Sequence, residues 1–367
     1  MGSGLQDFLK ALKLESECRR DFFREADRSS GTLYLGGGTP SLIDPILLGE
    51  VAEQVCELNG FSKPPDLKEF TVEVNPDDAS PEYLRQLYKT GSRRLSMGIQ
   101  SFNDTHLKWM NRRHNSQTAT EAFYNAREAG FENISIDLIF GFSLLTMEDW
   151  EENLQKAINL KPEHISSYQL SIESGTKLGR DYAKGNYTPV EDDISYRQYS
   201  LLQKRLVHAG YHQYEVSSFA MDGREAVHNS RYWDRTPYLG LGPGAHSFDG
   251  RTRFWNKSSL AAYIKRYSSE GVALAQMDGY REVYIKSELL TPSDIFNETL
   301  MLSLRRSDGL DMGKLLEISS GIDYNLFMSD VNRQVSLGNL ESKGGKIKIP
   351  SGKLFLSDGI IRDLFRD

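Results

Sequence analysis

Five apolar, strand-like runs alternate with amphipathic helical patterns, and this alternation constrains the fold more than any other feature of the sequence. Near-continuous apolar strands separated by helices are typical of a parallel sheet covered by helices. A doubly wound sheet and a barrel both fit five such units. The sequence therefore predicts an α/β fold with strands near Thr32–Leu35, Phe70–Val74, Arg94–Met97, Ile134–Phe140 and Ile165–Ile172, and helices over Pro45–Leu58, Pro81–Thr90, Thr118–Gly130, Met147–Leu160 and Ile194–Gly210.

The front of the sequence departs from this pattern. An amphipathic helix, with apolar residues at three- and four-residue steps, begins at Leu5, before the first strand. A barrel built of strand-then-helix units would begin with a strand. If the sheet is a barrel, a front strand is therefore missing, and its absence would leave an open edge at Thr32–Leu35.

The end of the sequence has a different texture. From Pro292, helical patterns over Ile295–Arg305 and Met312–Glu317 precede a stretch, Lys346–Leu356, that resembles a hairpin turning at Pro350–Gly352. This predicts a small winged-helix-like α+β domain. We expect three parts: the βα units over residues 1–215, a linker and ligand segment over 216–290, and the small domain over 291–367.

Composition and charge exclude several classes of protein. The chain carries 44 Lys and Arg against 51 Asp and Glu, a net charge of −7, whereas a protein that binds nucleic acid usually has a basic excess. No run approaches the ~18 consecutive apolar residues of a membrane helix. Residues 5–27 are densely charged, unlike a signal peptide. We expect a cytoplasmic protein, monomeric or dimeric, without a transmembrane segment and without nucleic acid as a partner.

Only two cysteines occur, Cys18 and Cys56. Both lie in helical patterns, where we expect small buried side chains in a reducing compartment. Two cysteines cannot supply three thiolates to an iron–sulfur cluster.

A glycine-rich turn follows the first predicted strand. The stretch Gly-Gly-Gly-Thr-Pro, from Gly36 to Pro40, exposes backbone N–H groups that no side chain covers. Such a turn can hold a carboxylate, an amino group or a phosphate. A purely structural turn is the alternative at this position.

Single polar residues interrupt or end the later strands. Ligand-binding side chains of βα folds cluster at the carboxyl ends of strands, and a lone buried carboxylate is costly unless it is paired. Arg112, in Asn-Arg-Arg-His, could meet a ligand carboxylate in a two-pronged contact. The pattern indicates a polar ligand, and an internal hydrogen-bond network is the alternative. The strand residues concerned are Glu73, Gln100, Asp137 and Gln169.

Several motifs in a fixed order carry a family resemblance. Gly-Gly-Gly-Thr-Pro, Glu-Val-Asn-Pro, Gly-Ile-Gln-Ser-Phe, Asn-Arg-x-His and Ile-Asp-Leu-Ile-Phe-Gly resemble the radical S-adenosylmethionine (SAM) family of oxygen-independent coproporphyrinogen III oxidases. The resemblance runs from about Gly31 to the C-terminus. It implies an incomplete TIM-type (β/α)6 barrel and SAM as a cofactor. By position, Gly36, Gly37 and Thr39 would hold the methionyl amino end beside Glu73, Gln100 and Asp137 the ribose, and Arg112 the methionyl carboxylate.

The family's C-x-x-x-C-x-x-C loop, which ligates a [4Fe–4S] cluster, has no counterpart here. Both a truncated chain and a natural loss of the loop are open, and the opening Met-Gly-Ser-Gly favours truncation. We expect no radical chemistry from these 367 residues alone.

A histidine and aromatic block points to one branch of the family. His228-Asn-Ser-Arg-Tyr232-Trp233 resembles the H-N-x-x-Y-W signature of HemW-type haem chaperones. Neutral imidazole ligates haem iron, and aromatic rings offer a flat apolar surface. The resemblance makes His228 the expected iron ligand and Tyr232 and Trp233 haem contacts, although His-Asn in a loop is often only a hydrogen-bonding pair. His246, after a glycine-rich turn, is a candidate second contact.

Three functions remain open from the sequence. The first is a haem chaperone that passes haem to an acceptor protein the sequence does not reveal. The second is an oxygen-independent coproporphyrinogen III oxidase of porphyrin biosynthesis, which would need the cluster. The third is an interaction protein that keeps only the fold. The His-Asn-x-x-Tyr-Trp block and the polar strand residues favour the first.

Overall fold

The large sheet contains the five predicted parallel strands. A computed structural model describes residues 2–20, 22–23, 31–61, 63–268 and 285–366. Neighbouring strands pair in chain order, so Leu33 of the first strand lies opposite Phe70 of the second. The strands are β1 (Thr32–Leu35), β2 (Glu69–Val74), β3 (Arg94–Gln100), β4 (Asn133–Phe140) and β5 (His164–Gln169).

Two short strands extend this sheet beyond β5. β7 (Ser218–Ala220) pairs antiparallel with β5, and β6 (His212–Gln213) pairs antiparallel with β7. The sheet order is therefore β1-β2-β3-β4-β5-β7-β6, with β1 at one edge. The antiparallel strand β7 was not predicted, because it has only three residues and no long apolar run.

Helices cover the outer face of the sheet. Most of these helices begin where the sequence places a cap or a proline: Ser80 accepts a hydrogen bond from the Tyr83 N–H, and Pro81 follows it. The outer core is apolar, with Trp150, Phe123 and Leu84 fully buried. The helices are α1 (Gly2–Cys18), α2 (Pro45–Leu58), α3 (Pro81–Lys89), α4 (Asp104–Trp109), α5 (Ser116–Glu128), α6 (Met147–Leu160), α7 (Lys177–Ala183) and α8 (Asp192–His208).

The inner face of the sheet is polar because apolar and polar side chains alternate along the strands. In β2, Phe70, Val72 and Val74 are buried on the outer side, while Glu69 and Glu73 contact groups on the inner side. This two-residue period puts one row of polar side chains from each strand inside the curved sheet.

The segment after the large sheet forms a helix and a second sheet. α9 (Val227–Trp233) contacts the edge strand β1. A three-stranded antiparallel sheet follows, in the order β10-β9-β8, from β8 (His246–Phe248), β9 (Thr252–Asn256) and β10 (Ile285–Leu289), with α10 (Leu260–Arg266) between β9 and β10. Residues 269–284, inside the predicted ligand segment, lie outside the described residues.

The C-terminal part contains the predicted helices and a hairpin, but the hairpin lies elsewhere. Its strands are β12 (Glu341–Lys343) and β13 (Lys346–Lys348), which turn at Gly344 and Gly345, both at positive φ. The predicted turn at Pro350–Gly352 is wrong, because residues 351–356 form a 3-10 helix. β11 (Leu310–Asp311) completes this sheet, and the helices are Pro292–Leu304, Met312–Glu317, Tyr324–Ser336 and Ser357–Arg362.

Two further expectations concern the cysteines and membrane-spanning helices. Cys56 is buried as expected, but Cys18 is exposed at the end of α1. None of the helices in the described ranges combines the length and apolar character that a bilayer-spanning helix needs.

Candidate functional site

Glu73 and Asp137 form the centre of what we call the acidic site, together with Arg112. Asp137 lies on β4, where Ser96 donates a hydrogen bond to its Oδ2 at 3.3 Å. Burial raises the pKa of Asp137 to about 6; the nearby Glu73 adds to this shift, and the hydroxyl of Ser166 opposes it. Two carboxyl groups that share one site favour a ligand with positive charge or several donors.

Arg112 faces this pair. It follows α4, and Asp137 and Asp77 lie close enough to act on its charge, while burial lowers the pKa of the guanidinium. Among the residues the structure describes, no hydrogen bond or ion pair of this guanidinium is present. The site therefore offers a cation, the Arg112 guanidinium, that can bind a negatively charged ligand group, as well as two carboxyl groups.

The glycine-rich turn meets Glu73 directly. A Cβ at Gly36 would lie 2.4 Å from the ring of Tyr34 and 2.7 Å from Glu73 Oε1, so this position must be glycine. Gly37 has φ of 75°, which glycine adopts without strain. Thr39, half-buried, precedes the 3-10 turn Pro40–Leu42.

The two predicted amides lie at the same end of the sheet. Gln100 ends β3 in a left-handed conformation (φ 68°) and pairs in register with Leu138, beside Asp137. Gln169 ends β5 and is exposed. It lines an inner cavity of about 940 Å³ between the strand ends, α9 and the C-terminal helices.

His228 lies on α9, beside the edge strand β1. Its Nδ1 is 2.9 Å from Thr32 Oγ1, its Nε2 is 2.9 Å from Tyr232 Oη, and its ring stacks on Tyr34 at 5.3 Å. Burial lowers the pKa of His228 to about 4, although the carboxylate of Glu69 opposes the shift. The imidazole is therefore neutral at physiological pH.

Glu69 fixes the start of α9 to the barrel. Ala226, at the N-cap, supplies no side-chain cap. Instead Glu69 accepts hydrogen bonds from the N–H groups of Val227 (2.8 Å) and His228 (3.0 Å), and it lies 3.9 Å from the buried Arg94. The Glu69 carboxylate on β2 thus caps the N-terminus of α9 and positions His228.

An outer cavity of about 780 Å³ opens beside His228. Its walls come from α1, β1, α2, α9 and the loop before β8, and they are largely apolar and aromatic. His246 lies on the same cavity and stacks on Trp255 at 5.3 Å, with the rings 11° apart. Its lining includes Leu33, Val55, His228, Tyr238, Leu241 and His246.

A buried carboxylate on α1 holds the wall of the outer cavity. Glu15 is fully buried, accepts hydrogen bonds from Gly242 N–H (2.8 Å), Asn256 (2.7 Å) and Tyr263 (2.7 Å), and pairs with Arg19 at 2.8 Å. The loop before β8 is therefore tied to α1.

The structure divides the predicted haem residues between two cavities. Helical spacing puts Asn229 and Trp233 on the face towards the inner cavity, and His228 on the face towards the outer cavity. Tyr232 and Tyr34 line both and form the wall between them. Trp233 is thus not among the residues that line the cavity of His228.

Three residues of the site, Thr32, Tyr34 and Glu69, are not among those predicted from the sequence. Glu69 had a readable signal, because Glu69, Thr71 and Glu73 alternate with three apolar residues and so share one face of β2. Tyr34 stood within an apolar run and gave no sign that its hydroxyl meets Glu73 at 2.8 Å. In the described ranges, no group of three or more His, Cys, Asp or Glu is arranged to hold a metal ion.

Comparisons with known proteins agree with this architecture. Residues 16–157 match the model of the radical SAM superfamily. The chain is 34% identical over 314 residues to the haem chaperone HemW of Bacillus subtilis, covering 85% of this chain and 79% of that one. It is 32% identical over 279 residues to HemW of Lactococcus lactis, covering 76% and 70%.

A solved structure shares the fold. Coproporphyrinogen III oxidase (HemN) from Escherichia coli, a radical SAM enzyme, superposes with a TM-score of 0.80 at 21% identity, covering 100% of this chain and 84% of that one. At this identity the likeness shows the fold alone.

Proposed function

Because this chain belongs to the radical SAM family, in the branch of the HemW haem chaperones, we propose that it binds haem at His228 and passes it to an acceptor protein. The observation that carries the proposal is the neutral imidazole of His228 in the wall of a cavity of about 780 Å³. A neutral imidazole nitrogen is the form that ligates haem iron.

The outer cavity fits a macrocycle. A ligand pocket of this kind is concave, mostly apolar, and carries few polar groups. Leu33, Leu241 and Tyr238 supply apolar surface, while His228 and His246 supply nitrogen atoms. Haem is the cargo here, so the protein's task is to hold the iron and the ring without altering them.

We propose that the acidic site binds SAM. Arg112 would meet the methionyl carboxylate, Glu73 the amino group, and Asp137 the ribose hydroxyls. Gly36 packs against Glu73, and Gly37, where a Cβ would have nothing within 4 Å, leaves room for close approach. In this family SAM supplies radical chemistry when a reduced cluster stands beside it; these residues bind and orient it. Gly37, Thr39, Gln100 and Gln169 would complete the site.

A [4Fe–4S] cluster does not fit the residues of this chain. The sequence has two cysteines, and burial raises the pKa of the Cys56 thiol to about 11. A cluster needs thiolates from three or four cysteines.

Coproporphyrinogen III oxidation is the weaker candidate. The likeness to HemN carries the fold alone, and that reaction would route through the cluster that these residues do not fit.

A hemin titration followed at the Soret band tests the proposal. We expect saturation near one equivalent in the wild type, and at least ~100-fold weaker binding or a displaced band for His228→Ala, because an axial ligand is lost. His208→Ala is the matched control, since His208 ends α8 and lines neither cavity. Equal hemin binding by the wild type and His228→Ala would refute the proposal.

A further inference from the structure

Both ring nitrogens of His228 already have partners. Nδ1 meets Thr32 Oγ1 and Nε2 meets Tyr232 Oη, each at 2.9 Å. A neutral imidazole has one N–H and one lone pair, and a tyrosine hydroxyl can serve either. In both tautomers the Tyr232 oxygen therefore stands at Nε2, and a metal centre that binds Nε2 would have to take its place.

Of these partners, Tyr232 is the one that can leave. Its side chain is 41% exposed, and its ring meets Tyr238 edge-on at 4.7 Å. His228, by contrast, is half-buried, stacks on Tyr34, and is tied through its backbone N–H to Glu69. Rotation of Tyr232 would free Nε2 and also open the wall between the two cavities.

We propose that Tyr232 is a latch on His228, and that its hydroxyl occupies Nε2 until a metal centre displaces it. The inference rests on the proposed function and deepens it. A partner that competes for Nε2 weakens the hold on haem and gives the imidazole a ready acceptor or donor when haem leaves. Both effects favour transfer over storage.

Tyr232→Phe removes the hydroxyl and keeps the ring. We expect hemin to bind roughly two- to tenfold more tightly, the equivalent of one neutral hydrogen bond, and to pass correspondingly more slowly to apomyoglobin. Tyr124→Phe is the matched control, because Tyr124 is an exposed tyrosine on α5 that lines neither cavity. Unchanged or weaker hemin binding by Tyr232→Phe would overturn the latch, and weaker binding would make the Tyr232 oxygen an iron contact instead.

A second measurement needs no haem. Diethyl pyrocarbonate acylates accessible neutral imidazoles, and mass spectrometry of the peptide that contains His228 gives the rate. We expect Tyr232→Phe to raise this rate by roughly two- to tenfold for the same lost hydrogen bond, with the rate in Tyr124→Phe as in the wild type. An equal rate in Tyr232→Phe and the wild type would refute the latch.

The two measurements separate the latch from the function it serves. If His228→Ala leaves hemin binding unchanged, the proposed function fails and the acylation rate alone decides the latch. If hemin binding depends on His228 but the acylation rate does not depend on Tyr232, the function stands and the latch fails.

Discussion

Burial shifts pKa values in both the acidic site and the outer cavity, but in opposite directions. Burial raises the pKa of Asp137 to about 6 and lowers the pKa of His228 to about 4. Removal from water disfavours the charged form of each group, and the charged form is the anion of one and the cation of the other. The same barrel thus holds a carboxyl group that is protonated more easily than usual and an imidazole that is protonated less easily than usual.

Tyr34 lies between the two regions. Its hydroxyl donates to Glu73 of the acidic site at 2.8 Å, and its ring stacks on His228. The two regions are therefore neighbours that share a wall, and variants in each should show how far they are independent.

The largest effect is expected at the support of the outer cavity. Glu69→Ala removes the cap of α9 and leaves the Arg94 guanidinium buried without its ion pair. We expect a loss of about 3–5 kcal/mol in the free energy of unfolding, as for other buried pairs broken on one side. Urea unfolding measures it, with exposed Glu121→Ala as the control. A loss below that of the control would mean that α9 does not depend on Glu69.

In the acidic site, by contrast, we expect a substitution to increase stability. Because the folded pKa of Asp137 is raised, its contribution to stability is full below the ordinary pKa near 4 and is lost as pH rises through about 6. Asp137→Asn should therefore gain up to roughly 3 kcal/mol at pH 7 and almost nothing at pH 4. Urea unfolding at both pH values, with exposed Asp7→Asn as the control, checks this. A gain that does not depend on pH would contradict it.

Ligand binding should separate the two regions by pH. At pH 5 a carboxyl group with a pKa of about 6 is some 90% protonated, so SAM should bind about tenfold more weakly than at pH 7. Hemin ligation by His228 should persist to about pH 4. Calorimetry with SAM and Soret titration with hemin at the two pH values make the comparison, and a parallel loss of both ligands would show that the regions titrate together.

The smallest effect concerns the shared wall. Tyr34→Phe removes the hydrogen bond to Glu73 and keeps the stack on His228. We expect a loss of about 1 kcal/mol in stability and a change in SAM affinity, with hemin affinity as in the wild type. Tyr83→Phe, whose hydroxyl meets the Ile43 carbonyl, is the control. A shift in hemin affinity in Tyr34→Phe would mean that its hydroxyl couples the two sites.

Much of the acidic site could be predicted from the sequence, because the features that indicate it lie within short stretches of the chain. An acid inside an apolar strand, as at Glu73 and Asp137, and three glycines at a strand end are each unusual on their own. The rule that strand ends meet at one edge of a sheet then predicts that they lie together.

The outer cavity could be predicted only in part. Helical spacing places His228 and Tyr232 on one face and Trp233 on another, but a motif written in letters does not show that α9 is a helix. The misplaced hairpin has a similar origin, since Gly344-Gly345 and Pro350–Gly352 are both acceptable turn sequences and only strand pairing decides between them.

By itself the sequence determined the alternation of strands and helices, the polar residues at the strand ends and the family, because periodicity and motifs are properties of neighbouring positions. The tertiary structure decided which groups meet across the chain: Glu69 with the start of α9, Tyr34 with Glu73 and His228, and Tyr232 over Nε2. These contacts join residues far apart in the sequence; Glu69 and His228, for example, are 159 positions apart. Burial, which sets the protonation of Asp137 and His228, exists only once those contacts have formed.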